Sequence, residues 1–289
     1  MGASAGLHTS RGELIDIGGR RLRMVRAGPR SARPLIVFEC GAWGCAADWA
    51  VVQDRLAAKG LASLAYDRAG LGFSDAGPTP RDGRAIAADL EALLAHAGES
   101  GPLIMVGHSM AGLMLRVFTP RNRERVKGVV LVDAVTPDMI EHPKAGRAIH
   151  GYRRAMDLVG RFSHLGFMRP AALVIGDLIG LEGEASAEKR HIYGLASHAK
   201  WAAEEVQAWP ETSAQGREPF DPNLPVAVVT AGASRVPPNV KAMQRAPARQ
   251  SAAGYEVDVP GATHASLLGR AFADPIIAGI DHVMAEAKV

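Results

Sequence analysis

The sequence predicts an α/β fold with a mostly parallel central sheet, helices on both faces and one long helical insertion. Three observations carry this. Short apolar runs alternate with helix-period segments up to residue 135 and again from residue 222, the rhythm of parallel strands joined by crossover helices. Between them, residues 136–221 show no strand pattern and read as helices and loops. Finally, the apolar run 103–106 breaks at Gly107-His108-Ser109-Met110-Ala111-Gly112 and passes at once into a helical pattern, as a strand does when it turns sharply into a helix.

In order, residues 13–17 and 20–27 read as two strands joined at Gly18-Gly19, a hairpin signal. Residues 34–40 form a continuous apolar strand, as expected where both faces are covered, and run into the Gly-rich loop Gly41-Ala42-Trp43-Gly44. A helical pattern covers 48–58, a strand 61–66, and a helix 85–97 with Ile86, Leu90, Leu93 and Leu94 on one face. After the Ser109 turn and its helix to residue 118, a strand at 126–132 ends on Asp133. Beyond the insertion come a strand at 226–230, a helix near 239–245, a strand at 255–259, the loop Pro260-Gly261-Ala262-Thr263-His264, and a last helix at 274–287. The expected division is therefore a core of 1–135 and 222–289, with 136–221 inserted between two strands of one sheet.

Composition narrows the class. Of 289 residues, 47% are hydrophobic and 22% charged, ordinary for a globular protein with ample core. A net charge of +3 is too small to argue for a nucleic-acid partner, and the cluster Arg20, Arg21, Arg23, Arg26, Arg30 and Arg33 is expected to be a solvated face. Two cysteines, Cys40 and Cys45, make no disulfide framework, which favours a reducing, cytoplasmic setting. Residues 1–10 lack a charged segment followed by an apolar core, so no secretory signal is expected there. Gly6 stands where a myristoylation motif needs Ser or Thr. No apolar run approaches the ~18 residues that span a bilayer, so no membrane partner is expected.

The chemistry centres on Ser109. A tight turn lifts its hydroxyl clear of the sheet, provided small residues flank it, and Gly107 and Ala111 are small. A serine needs a base, and the base needs an orienting group. His264, in a loop after a strand, is the candidate base, because ligands of open α/β sheets bind at the carboxyl ends of strands. His108, beside Ser109, is read as a packing residue. The acid is expected at another strand end. Ala231-Gly232-Ala233-Ser234-Arg235, after the strand at 226–230, contains none, which moves the role to Asp133, with Asp258 and Asp138 as alternatives. The backbone N–H groups of Met110 and Ala42 are the expected oxyanion donors. Asp67 and Arg68 are expected to brace loops. Two thiols do not make a zinc site, and His191 and His198 lack partners at ligand spacing, so no metal is expected.

The runs Phe38-Glu39-Cys40-Gly41-Ala42-Trp43-Gly44, Tyr66-Asp67-Arg68-Ala69-Gly70-Leu71-Gly72-Phe73-Ser74-Asp75, Gly107-His108-Ser109-Met110-Ala111-Gly112, Leu131-Val132-Asp133 and Pro260-Gly261-Ala262-Thr263-His264 resemble, in that order, the α/β-hydrolase fold superfamily. The resemblance implies a Ser-His-acid hydrolase with an acyl-enzyme intermediate and no cofactor, and a variable cap, or lid, over 136–221. Cys40 stands where that family commonly has His, Ala111 replaces the usual Gly, and an acid at Asp133 resembles members that carry it one strand early. A Ser nucleophile argues against the dehalogenase and epoxide-hydrolase branches. The expected activity is hydrolysis of a carboxylic ester of a hydrophobic small molecule, with Trp43, Met139 and Trp201 as pocket residues. The alternatives are a lactone, thioester, amide or C–C bond hydrolase on the same three residues, or a non-catalytic ligand-binding protein of this fold.

Overall fold

A computed structural model describes residues 11–31, 33–233 and 236–287; the expectations about a leader fall on residues 1–10, outside them. Eight strands form one sheet: β1 (Glu13–Asp16), β2 (Arg21–Ala27), β3 (Leu35–Glu39), β4 (Ser63–Tyr66), β5 (Leu103–His108), β6 (Val126–Val132), β7 (Val226–Ala231) and β8 (Gly254–Val259). Their spatial order is β1-β2-β4-β3-β5-β6-β7-β8. The β1–β2 and β2–β4 pairs are antiparallel and all other pairs parallel. Apart from Lys127 on β6, every residue of β3 to β7 is buried, which is why these strands read as continuous apolar runs.

The strand period of two divides the core between the faces. Ile36, Phe38, Ile104 and Val106 point to one side. They meet α1 (Ala50–Ala58) there, together with the last helix of the chain, introduced below. Leu35, Val37, Leu103 and Met105 point to the other, toward α2 (Gly83–His96) and α3 (Ala111–Arg121). Asp82 caps α2 by accepting from the Ala85 N–H at 2.9 Å.

Between β6 and β7 lie only helices among the described elements: α4 (Pro137–Glu141), α5 (Pro143–Phe162), α6 (Met168–Ile175), α7 (Gly183–Tyr193), α8 (Ala196–Gln207) and α9 (Trp209–Gln215). The chain then completes the sheet with α10 (Pro238–Gln250) and α11 (Asp274–Glu286), the latter packing Ile276, Ile280 and Val283 on the first face.

Within the arginine cluster Arg21, Arg30 and Arg33 are exposed, as expected of a solvated face, and Arg23 departs from it. Arg23 is buried, and its five N–H donors are taken by Asp67, Glu188 and the Arg11 carbonyl. Arg20 pairs with Asp89, Arg21 with Asp75, and Arg26 and Arg30 with Glu99. Alternation along β2 puts Arg23 on the side where Glu188 of α7 arrives, and that encounter is tertiary. Among the described residues no helix is long and apolar enough to cross a membrane.

Candidate active site

The end of β5 runs into α3 through one residue in the left-handed region, Ser109 (φ 57°). Three backbone hydrogen bonds fix this turn, two of them to residues at or just after the end of β6. The Ser109 N–H donates to the Val132 carbonyl at 3.1 Å, and the Ser109 carbonyl accepts from Gly112 at 3.1 Å and Val135 at 2.8 Å. Small residues are required here. A Cβ on Gly112 would sit 2.4 Å from the Val135 carbonyl oxygen, and one on Gly107 would meet Ala111 Cβ at 3.0 Å.

Asp133 follows β6, also left-handed (φ 42°), with its N–H bonded to the Val229 carbonyl at 2.7 Å. Its Oδ1 accepts from the Ala231 N–H (3.2 Å) and from Gln244 Nε2 (3.3 Å). Its Oδ2 lies 2.6 Å from His264 Nδ1, and His264 Nε2 lies 2.9 Å from Ser109 Oγ. Since a carboxylate only accepts, Nδ1 carries the proton, leaving the Nε2 lone pair for the Ser109 hydroxyl. The His264 side chain is 50% exposed and that of Asp133 only 4%, so the imidazole is open to solvent while the carboxylate is buried beside it. Burial pushes the Asp133 carboxyl up, but the His264 hydrogen bond and charge, with the Ala231 N–H, outweigh it and hold it below the usual carboxylate value.

His108 is buried under His264, with ring centroids 4.4 Å apart, and its Nε2–H donates to the His264 carbonyl at 3.0 Å. Burial, and then the neighbouring His264, push it down to about 3, so it is a neutral prop for the His264 loop. Gly41 packs against Ser109: a Cβ there would meet Ser109 Cβ at 3.0 Å. Ala42 follows Gly41 and Met110 follows Ser109 in the chain, and neither N–H donates a hydrogen bond among the described residues. Arg68 fixes the loop from beneath through the Cys40 and Gly41 carbonyls (2.6 and 2.8 Å). Asp67 accepts from the Ala46 and Phe73 N–H groups at 2.7 and 3.0 Å. Cys40 and Cys45 are buried free thiols, and burial pushes both well above the ordinary value, so neither is a reactive thiolate.

Trp43 (φ 60°), Ser109 and Asp133 are the non-glycine residues with positive φ among the described residues. Each such conformation costs about 1–2 kcal/mol; Ser109 and Asp133 border one cavity, as strain does where geometry serves function, and Trp43 lies in the loop beside it.

Ser109, His264 and Asp133 open on a cavity of about 830 Å³. Met139 lines it, as do Tyr152, Tyr193, Trp209, Asp48 and Lys189, which sequence reasoning did not single out; helix periodicity gives a face but not what the face meets. Trp43 and Trp201 do not line it. The Trp43 ring packs against Tyr193 and His198 (centroids 6.0 and 5.9 Å), and Trp201 covers Gly70, where a Cβ would meet the indole at 2.3 Å. Of the alternative acids, Asp258 is paired with Lys241 at 2.6 Å and accepts from Thr230 at 2.7 Å, while Asp138 lies on α4. Among the described residues no three His, Cys, Asp or Glu side chains converge as a metal site.

Comparison with known proteins places this architecture. The family model described as alpha/beta hydrolase fold matches residues 34–161. A protein of Hormonema carpetanum named a probable transporter is 38% identical over 45% of this chain and 19% of its own length. An AB hydrolase superfamily protein of Gibberella zeae is 37% identical over 38% of this chain and 36% of its own. The chain thus spans well under half the length of these curated relatives. Among solved structures, a thermophilic esterase from Thermogutta terrifontis superposes with a TM-score of 0.70 at 20% identity, over 95% of this chain and 100% of that one. The family model over residues 34–161, the sheet order and these likenesses agree on one architecture: the chain has the α/β-hydrolase fold.

Proposed function

We propose that this protein is a serine hydrolase that cleaves a carboxylic ester of a hydrophobic small molecule through an acyl-enzyme intermediate. The observation that carries the reading is the continuous hydrogen-bonded chain from Ser109 Oγ through His264 to Asp133. Ser109 Oγ attacks the acyl carbon as His264 Nε2 takes its proton, and Asp133 stabilises the imidazolium and holds its tautomer. The tetrahedral oxyanion takes hydrogen bonds from the Met110 and Ala42 N–H groups. Collapse re-forms the carbonyl and breaks the bond to the alcohol oxygen, which leaves with the proton from Nε2. Water then repeats the sequence on the acyl-enzyme, and the acid departs. The reaction needs no metal or cofactor.

In this reading, residues 136–221 are a cap over a core of 1–135 and 222–289. The apolar wall of Val135, Met139, Ile149, Ile179 and Leu268 favours a hydrophobic acyl or alcohol group. The test is intact-protein mass after exposure to a small fluorophosphonate, with turnover of a chromogenic ester measured in parallel. Wild type is expected to gain one phosphonyl group and Ser109→Ala none, with turnover lost by at least about 10³-fold in the variant. A folded wild type with neither adduct nor turnover would leave a ligand-binding protein as the better account.

A further inference from the structure

Away from Ser109 the largely apolar cavity wall carries Lys144 and Tyr152, both exposed on α5, and one buried charged pair, where Asp48 and Lys189 line it together with Tyr193. Lys189, on α7, donates to Asp48 Oδ1, and its ammonium lies 4.5 Å from the Tyr193 ring centroid. The Lys189 and Asp48 side chains are 4% and 7% exposed. The Cys45 thiol approaches Asp48 Oδ1 at 3.7 Å.

Buried cations differ in how fully they are served: Arg81 leaves Nε and Nη1 without a partner, away from the cavity, whereas two others keep no donor free. Arg68 uses all five of its N–H donors, on Glu39, Glu205 and the Cys40 and Gly41 carbonyls, and Arg23 does the same on its own partners. Lys189 meets one carboxylate and one phenol. With three donors, its ammonium keeps one for the cavity even when both are served. A buried ion pair contributes little that well-packed apolar side chains would not, so stability alone gives no reason for one in an apolar cavity wall.

We infer that Asp48, Lys189 and Tyr193 form a polar subsite that takes a neutral hydrogen-bonding group of the substrate, a hydroxyl or a carboxamide. The inference rests on the hydrolase reading above. Its selectivity follows from charge. Lys189 and Asp48 already sum to zero, so a substrate carboxylate would bring an uncompensated negative charge beside Asp48 into a low-dielectric wall, and an ammonium an uncompensated positive one. A hydroxyl or carboxamide accepts from Lys189 and donates to Asp48 or Tyr193 without adding charge. A methyl group would leave the pair unserved, and sites built to bond a polar group reject analogues that lack it.

The test uses chromogenic esters of increasing chain length, in one series varied on the acyl side and in a second on the alcohol side. Each chain ends in methyl, hydroxyl, carboxamide or carboxylate. At a matching length, wild type is expected to favour hydroxyl or carboxamide over methyl by about tenfold or more in kcat/KM, and methyl over carboxylate. In Lys189→Met/Asp48→Asn, which removes both charges together, the preference should fall to within about twofold. Tyr193→Phe, a milder change, should lower the same ratio and serves if the double variant does not fold. Because the readout is a ratio within each protein, a purely structural tie between α7 and the core would not move it. A wild type that turns over the methyl esters but shows no polar preference at any length, or prefers carboxylate, overturns the subsite. A wild type that turns over none of them and takes no phosphonyl group overturns the hydrolase reading beneath it.

Discussion

The two halves of the helical segment meet the rest of the protein by different physics. α7 and α8 are held by buried charge: Glu188 to Arg23 of β2, Lys189 to Asp48, and Glu205 to Arg68 under the loop that carries Ala42. His198 of α8 adds a neutral tie, accepting from the Gly72 N–H at 3.1 Å and donating to the Trp43 carbonyl at 3.2 Å. α5, by contrast, buries none of its residues, and apart from Leu14 the exposed large hydrophobics, among them Leu158, Phe162, Leu173, Val174 and Leu178, lie on α5, α6 and their flanks. Ile175 and Leu178 nonetheless line the cavity. The cavity thus has one wall fixed by buried charge and one whose side chains stay partly or largely exposed, with α5 tied to α8 by the Arg153–Gln207 hydrogen bonds. The fixed wall is the one suited to discrimination, because hydrogen-bond geometry survives only where the backbone is held; the open wall is suited to admitting apolar groups of varied shape.

The sharpest way to break this contrast is Glu205→Ala. It strands the Arg68 guanidinium without its bidentate partner and should cost about 3–5 kcal/mol in urea unfolding, with a matching fall in Tm. A loss below about 1 kcal/mol, the range of an exposed pair, would show that α8 is not fixed by charge.

Acid should weaken the fixed wall next. Burial, and then Lys189, push His198 down to about 3, and His108 is likewise near 3, so both are neutral in the folded protein. The unfolded chain binds their protons below about 6.5, so the stability they contribute is fully present above that value. It is lost as pH falls toward 3, with a slope of up to about 1.4 kcal/mol per pH unit for each. Urea midpoints at pH 7.5 and 5 should therefore fall for wild type and fall less for His198→Gln. Equal falls in both proteins would remove His198 from the account.

On the open wall the expectation is nearly no effect. Leu173 is 73% exposed, and Leu173→Gln should change stability by no more than about 0.5 kcal/mol. A loss of core size would mean that α6 is packed against something, and the two walls would no longer differ.

Much of this was legible in the residues. The buried strands announced themselves as apolar runs and fell within a residue or two of their observed bounds, because burial on both faces leaves few other compositions. Ser109 and His264 were legible for a related reason: small residues on both sides of one serine, and a histidine in a loop after a strand, are local requirements of a tight turn and a strand end. Asp133 was reached by the lack of any acid in 231–235, and it meets His264. Trp43 and Trp201 were expected in the pocket and are packed elsewhere, while Lys189 and Asp48, unremarkable by spacing, line it. Residues 48 and 189 meet only because α7 folds back over the short turn of helix Ala46–Trp49 that leads into α1.

The sequence by itself determined the α/β rhythm, the run of helices between β6 and β7 and the turn at Ser109, since each follows from periodicity and steric demands within a few neighbouring residues. Only the tertiary structure decided which helix faces look into the cavity, that Arg23 is buried rather than solvated, and which charges are saturated. Those outcomes depend on contacts between segments far apart in the chain, and no local pattern records them.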